Sequence, residues 1–272
     1  MIFHTIQGER VPALGLGTWR LDGDACREAV EHALDLGYRH IDTAQAYENE
    51  EPVGRGLAAS PVGRGDVFLT TKIWLDNLGP EAVRASTEAS LRRLGTDYVD
   101  LLLIHWPSDE VPLEETLDAL VVLRDEGKTR HIGVSNFTPS LLRRALDHAR
   151  LFCCQVEYHP FLAQDDLLAL CRRHDLLLTA YSPLARGKVQ EEDVLREIAE
   201  AHGKTPFQVT LRWHLQQDSV AAIPKASSAE HREANFDLFD FALSDAEMER
   251  IAGLAEGRRL IDPDFAPAWE DG

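Results

Sequence analysis

The sequence predicts an α/β fold, a (β/α)8 barrel with a short N-terminal β-hairpin, on three observations. Apolar runs of strand length recur eight times along the 272 residues. Amphipathic stretches at helical spacing lie between them. No linker or low-complexity break interrupts the alternation, so residues 1–272 read as one domain. Right-handed crossovers close on themselves at eight units and bury both faces of every strand. An open doubly wound sheet is the rival, and it lacks its nucleotide fingerprint. Gly15 and Gly17 are followed by Arg20 where G-x-G-x-x-G needs glycine, and no phosphate loop of the G-x-x-x-x-G-K-[ST] type occurs.

The elements follow in order. "FHTIQGERVP" reads as a hairpin turning at Gln7 and Gly8, placed to cap the bottom of the barrel. The strands are "ALGLGTW", "RHIDTA", "VFLTTKIW", "YVDLLLIHW", "HIGVSN", "CCQVEY", "LLLTAYS" and "VAAIPK". The helical stretches include "DACREAVEHALDLG", "PEAVRASTEASLRRLG", "PLEETLDALVVLRDEGK", "PSLLRRALDHAR" and "DDLLALCRRHD". Several carry start and stop signals, such as Asp24 before Gly37, or Gly79 and Pro80 before Gly95.

Composition excludes several classes of function. Forty-six acidic against 28 basic residues give a formal charge of −18, which repels nucleic acid and anionic lipid. The charge is spread through segments such as "EEDVLREIAEAH", which suits a solvated outer face, with a salt-adapted host as a second reading. No run of 18 apolar residues occurs, and "MIFHTIQGERVP" lacks the blocks of a signal peptide. A cytoplasmic monomer acting on a small molecule is the expectation. Cys153 and Cys154 are adjacent, Cys26 and Cys171 stand alone, and without a C-x-x-C spacing all four read as packing residues, with no metal site.

In such a barrel the active site lies at the carboxyl ends of the strands. Asp42, Lys72 and His105 each stand at or just past a strand end, and Tyr47 follows in a loop. Singly, these residues read as a helix cap, a snorkelling lysine, filler and core packing. Together they form a proton-delivery set. Tyrosine is a poor acid at a reference pKa of ~10, a nearby ammonium lowers that value, and an aspartate keeps the ammonium charged. A histidine beside them hydrogen-bonds an oxygen on which negative charge develops. The set suits protonation of a carbonyl oxygen while hydride reaches carbon. No serine or cysteine nucleophile paired with a base and no clustered metal ligands point to hydrolysis.

With these residues in place, the sequence resembles the aldo-keto reductases, NADPH-dependent (β/α)8-barrel enzymes. The resemblance covers nearly the whole chain, through "GLGTW", "GYRHIDTAQAYENE", "TTKIW", "LRRLGTDYVDLLLIHWP", "GVSNF", "QVEYHP", "AYSPL" and "IPKASS". It implies Tyr47 as general acid, Lys72 and Asp42 as its tuning pair, and His105 as the group that orients the carbonyl. It carries Ser135, Asn136 and Gln155 onto the nicotinamide carboxamide and lays Tyr181 against the ring. Asn136 alone could equally cap the helix that follows it. Ser182, Leu184 and Lys188, in "SPLARGK", are implied at the pyrophosphate. Lys225, Ser227, His231 and Asn235 are implied around the adenosine and its 2′-phosphate, with Ser227 and Glu230 at capping-box spacing on a helix start, itself an anion site. Ala226 and His231 depart from the usual serine and arginine, which predicts that NADH also works. Trp19, Trp74 and Trp106, otherwise read as core tryptophans, match the family's substrate pocket. Short loops after His105 and after "AYSPL" and the short tail "RRLIDPDFAPAWEDG" predict an open, shallow pocket, with Arg258 or Arg259 offsetting the acidic surface. The closest resemblance is to microbial reductases of 2,5-diketogluconate and methylglyoxal. A non-catalytic, nucleotide-sensing barrel of the same family is the alternative, disfavoured by the complete set of four.

Overall fold

The computed structural model describes residues 1–269. A hairpin of β1 (Phe3–Ile6) and β2 (Glu9–Pro12) comes first. Eight parallel strands then follow one another around a single sheet in sequence order: β3 (Leu16–Gly17), β4 (His40–Asp42), β5 (Phe68–Ile73), β6 (Val99–Ile104), β7 (Thr129–Ser135), β8 (Cys153–Glu157), β9 (Leu177–Tyr181) and β10 (Val220–Ala222). The last returns to the first. The Gly15 N–H donates to the Ala222 carbonyl at 2.9 Å and the Ala222 N–H to the Ala13 carbonyl at 2.8 Å, which closes the barrel. A Cβ on Gly17 would stand 2.6 Å from the Ile223 carbonyl oxygen, so this seam needs glycine.

The outer layer holds α1 (Gly23–Leu36), α2 (Glu50–Ala59), α3 (Pro80–Leu94), α4 (Leu113–Asp125), α5 (Pro139–His148), α6 (Asp165–Arg173), α7 (Asp193–His202), α8 (Pro206–Leu215), α9 (Ala229–Phe236) and α10 (Asp245–Ala252). Pro80 at the first helical position and Gly95 in the left-handed region bound α3 as the sequence indicates. Two boundaries differ. Helix α1 starts at Gly23 after Asp22, ahead of Asp24. Helix α9 is capped by Ser228, whose hydroxyl accepts from the His231 N–H, and not by Ser227, so the capping-box pairing with Glu230 does not form.

Side chains alternate between the barrel interior and the helix layer. On β6, Leu101 and Leu103 face inward while Leu102 and Ile104 join the core beneath the helices. The lower interior is an apolar plug in which Phe68, Leu101, Leu103, Phe152 and Leu177 meet Ile6 and Val11 of the hairpin. Gln7 and Gly8 take the positive φ values of 50° and 86° that a two-residue hairpin turn requires. Gln7 pins the hairpin to the barrel bottom: its N–H donates to Asp175 Oδ2 at 2.8 Å and its Nε2 to the Leu151 carbonyl at 2.7 Å. Among the described residues no helix is long and apolar enough to cross a membrane.

Candidate active site

Period two decides which side chains meet. Inward parity carries Asp42 on β4, Lys72 on β5, His105 just past β6, Ser135 on β7, Gln155 and Glu157 on β8 and Tyr181 on β9 to the carboxyl end, above the plug. Tyr47 arrives on a 3-10 turn (Gln45–Tyr47) that follows β4. Gln45 fixes that turn by accepting the Trp74 N–H and the Asn77 side-chain amide, each at 3.0 Å.

Lys72, with no exposed surface, donates from Nζ to Asp42 Oδ1 at 2.5 Å, to the Thr43 carbonyl at 2.9 Å and to the Tyr47 hydroxyl at 3.3 Å. Gln155 Nε2 donates to the other Asp42 oxygen at 2.8 Å. Both carboxylate oxygens are therefore engaged, and the lysine is aimed. Burial opposes the Lys72 charge, but Asp42 and the Tyr47 hydroxyl outweigh it and raise its pKa above the ordinary value. For Tyr47 the balance differs from the sequence expectation. Burial is the larger cause and raises its pKa, while Lys72 pulls it back only in part. Tyr47 is half-buried at the edge of the pocket, yet protein surrounds it on the scale over which charge is solvated, so burial governs. His105, 8% exposed, is held well below 6.5 by burial and then by Lys72, and it is neutral. Its Nδ1 has no hydrogen-bond partner among the described residues. The imidazole stands edge-on to Tyr47 at 5.6 Å and to Trp74 at 5.3 Å.

Asn136 is not a helix cap; Thr138 caps α5. Held at φ 62°, Asn136 donates to the His105 carbonyl at 2.9 Å and to Ser135 Oγ at 3.1 Å, and it accepts the Tyr181 hydroxyl at 2.6 Å. Burial, and then the nearby Glu157 carboxylate, push the Tyr181 hydroxyl far above its usual value.

The carboxyl end of the barrel opens on a cavity of about 1410 Å³. That exceeds the ~300–1,000 Å³ of an ordinary ligand pocket and leaves room for a dinucleotide beside a small substrate. Asp42, Tyr47, His105, Asn136, Gln155 and Tyr181 line it, together with Ser182, Leu184, Lys225, His231 and Asn235 and with Trp19, Trp74 and Trp106. Four expected residues stand outside the lining. Lys72 is buried behind Asp42 and the Tyr47 hydroxyl. Ser135 turns its hydroxyl to Asn136, Lys188 is exposed beyond a kink at Arg186 and Gly187, and Ser227 offers its carbonyl to Arg232. Arg186, and not Lys188, lines the cavity, and it lies 5.9 Å from the Trp19 ring. Its loop carries Ser182, Ala185 and Arg186 at positive φ, a cluster of strain of the kind that gathers at binding sites.

The tail does not leave the pocket open. Leu260 to Pro263 and Phe265 line it, and Phe265 packs edge-on against Trp74 at 5.5 Å and Trp106 at 5.4 Å. The last three residues of the tail, 270–272, lie outside the described residues. Neither Arg258 nor Arg259 reaches the cavity: Arg258 pairs with Glu256, and Arg259 lies over Trp269.

Residues 13–256 match the Aldo/keto reductase family. The chain belongs to that family. Methylglyoxal reductase DkgB of Escherichia coli O157:H7 is 41% identical over 266 residues, covering 96% of this chain and 99% of that one. A solved structure provisionally named 2,5-diketo-D-gluconic acid reductase B superposes with a TM-score of 0.97 at 44% identity, covering 100% of this chain and 98% of that chain. The aldo-keto reductase of Bombyx mori, solved in complex with NADP, gives a TM-score of 0.90 at 32% identity, covering 97% and 98%. This aldo/keto reductase is an oxidoreductase with the hairpin-capped barrel of its relatives.

Proposed function

We propose that the protein is an NADPH-dependent carbonyl reductase of small, uncharged aldehydes and dicarbonyls, with Tyr47 as general acid. The observation that carries this reading is the run Asp42–Lys72–Tyr47 at 2.5 and 3.3 Å, whose two ends, Asp42 and Tyr47, line the cavity. Because burial keeps the Tyr47 hydroxyl protonated through neutral pH, it has a proton to give to a carbonyl oxygen. The tyrosinate left behind would face the Lys72 ammonium, which offsets its charge, and Asp42 holds that ammonium in line. Neutral His105 has one N–H available for the same oxygen and so orients the carbonyl.

The donor set and the cavity fit a nicotinamide dinucleotide. Asn136, Gln155 and Tyr181 would hold the nicotinamide end, and Ser182, Leu184, Arg186, Lys225, His231 and Asn235 the phosphates and adenosine. When bound, NADPH supplies the hydride that Tyr47 chemistry completes. NADP bound in the Bombyx mori structure supports the assignment.

The charge of the lining narrows the substrate. Glu48 and Asp76 follow Tyr47 and Trp74 in their turns, Glu51 stands in the first turn of α2, and Asp262 lies in the tail that carries Phe265. The nearby cation, Arg93, is engaged by the buried carboxylate of Glu50 at 2.6 Å. A substrate carboxylate meets repulsion there, so the methylglyoxal activity named for the Escherichia coli relative suits this lining better than reduction of a diketo acid. The test is NADPH oxidation by the parent and by Tyr47→Phe with methylglyoxal and with 2,5-diketogluconate. Tyr47→Phe should lose ~10²-fold or more in kcat while binding NADPH as before. Half-retained activity sinks the mechanism, and a preference for the diketo acid sinks the substrate reading.

A further inference from the structure

Glu157 has no exposed surface, does not line the cavity and takes no part in the chemistry above. It sits two residues beyond Gln155 in the same inward column and pairs across the sheet with Tyr181. Three donors converge on its carboxylate. The Leu260 N–H reaches Oε1 at 2.9 Å, the Ile261 N–H reaches Oε2 at 2.9 Å, and His159 Nε2 lies 3.0 Å from Oε1. A carboxylate with both oxygens taken by consecutive backbone amides is an anchor for the chain that carries them.

That chain is a wall of the pocket. Beyond Ile261, the Trp269 indole N–H bonds Asp262 Oδ1 at 2.8 Å, and a turn closed from the Ala266 N–H to the Pro263 carbonyl at 2.8 Å presents Phe265 to Trp74 and Trp106. Upstream, the Arg258 N–H donates to the Phe161 carbonyl at 2.9 Å. The segment has no helix or strand of its own from 254 to 269, so few bonds fix its height above the barrel.

We propose that Glu157 is a positioning residue for substrate selection: by holding the Leu260 and Ile261 amides it sets where Phe265 stands, and therefore how well the pocket grips a carbonyl compound large enough to reach that ring. This rests on the reductase reading for its kinetic consequence, though not for the anchor itself. Glutamine at 157 keeps one acceptor oxygen and sets an NH2 group against an N–H, so one of the two amide bonds is lost. In Glu157→Gln, KM for an aromatic aldehyde such as 4-nitrobenzaldehyde should rise by about 10-fold, the scale of losing one aromatic ring contact with Phe265. KM for methylglyoxal, kcat for both substrates and NADPH affinity should hold.

Hydrogen exchange gives a readout that needs no turnover. Peptides spanning 258–263 should exchange about 10-fold faster in the variant, with the barrel strands unchanged. Ile261→Pro deletes one donor from the tail side without touching the barrel, and it should give the same exchange pattern at the remaining amides of 258–263 if Glu157→Gln fails to fold. Unaltered exchange across 258–263 in a folded variant overturns the anchor. Equal KM changes for both aldehydes, or a change in kcat alone, overturn the selection role. If the parent reduces no carbonyl compound, the reductase reading fails while exchange still decides the anchor.

Discussion

A lysine without exposed surface keeps its charge only if its partners outweigh desolvation, and at Lys72 they do: Asp42, the Thr43 carbonyl and the Tyr47 hydroxyl surround Nζ. His231 shows the opposite case, exposed on the first turn of α9, where it lines the cavity as Lys225 does. Arginine carries a permanent charge on a planar fork that grips phosphate, and imidazole offers neither. Under the proposed cofactor assignment, a lost charge-assisted bond to the 2′-phosphate is worth ~1.5–3 kcal/mol, or about ten- to hundred-fold in affinity. The parent should therefore use NADH measurably, and His231→Arg should widen the NADPH to NADH ratio of kcat/KM by about that factor. An unmoved ratio, or a parent inert with NADH, removes His231 from the phosphate site.

At the scale of elements, helix α2 sets two effects against each other. Gly54 lies inside it, where alanine gains ~1 kcal/mol of helix propensity. A Cβ there, however, would stand 2.6 Å from the Leu94 carbonyl oxygen and 2.8 Å from that of Arg93, both backbone atoms at the end of α3. Backbone cannot rotate away, and such overpacking costs ~1–3 kcal/mol or more, so packing should win. Gly54→Ala is expected to lower the thermal midpoint by several degrees, whereas Gly65→Ala, with open space at its Cβ, should barely move it. A higher midpoint for Gly54→Ala would show that the helices separate easily. The same contact explains why α2 was hard to read in the sequence. Pro52, Gly54 and Gly56 erase its apolar period, because close approach of neighbouring backbones replaces side-chain packing. Helix α8 was masked differently: Gln208 to Leu211 and Trp213 to Leu215 are all buried, leaving no polar face. The eight strands were legible because burial on both faces leaves uninterrupted apolar runs, and Asp42, Lys72 and His105 because polar residues stand out where such runs end. Glu157 ends its strand in the same way, but its role depends on amides 103 and 104 positions away. Arg186 and Phe265 lie in irregular segments, where no periodicity says which side chain turns inward.

For the whole molecule, net charge and buried histidines pull stability in different directions as pH falls. The formal charge of −18 means that protonating carboxylates relieves self-repulsion, but carboxylates titrate near pH ~4. Histidines act earlier. Burial lowers His131 to about 4 and His214 to about 3, and it also lowers His4, His40 and His105. In the unfolded chain these groups take up protons near pH ~6.5, before the folded protein does. Their contribution is therefore complete above that pH. It is lost as pH falls towards 4 for His131 and towards 3 for His214, and it is constant below. Between pH 7 and 5 the histidines dominate, and the urea midpoint should fall. His214 isolates the effect. It has no exposed surface, its Nε2 lies 3.4 Å from the Pro183 carbonyl, and its Nδ1 has no partner among the described residues, so the neutral ring with the proton on Nε2 is the form that fits. Each such group contributes up to ~1.4 kcal/mol per pH unit to the slope. His214→Gln should accordingly lower stability at pH 8 but flatten the decline between pH 6.5 and 5 by close to one proton. Added salt at pH 8 should raise the midpoint of both proteins by screening the excess negative charge. Equal slopes for His214→Gln and the parent, or a parent midpoint that rises as pH falls from 7 to 5, would mean that carboxylate repulsion governs the acid response.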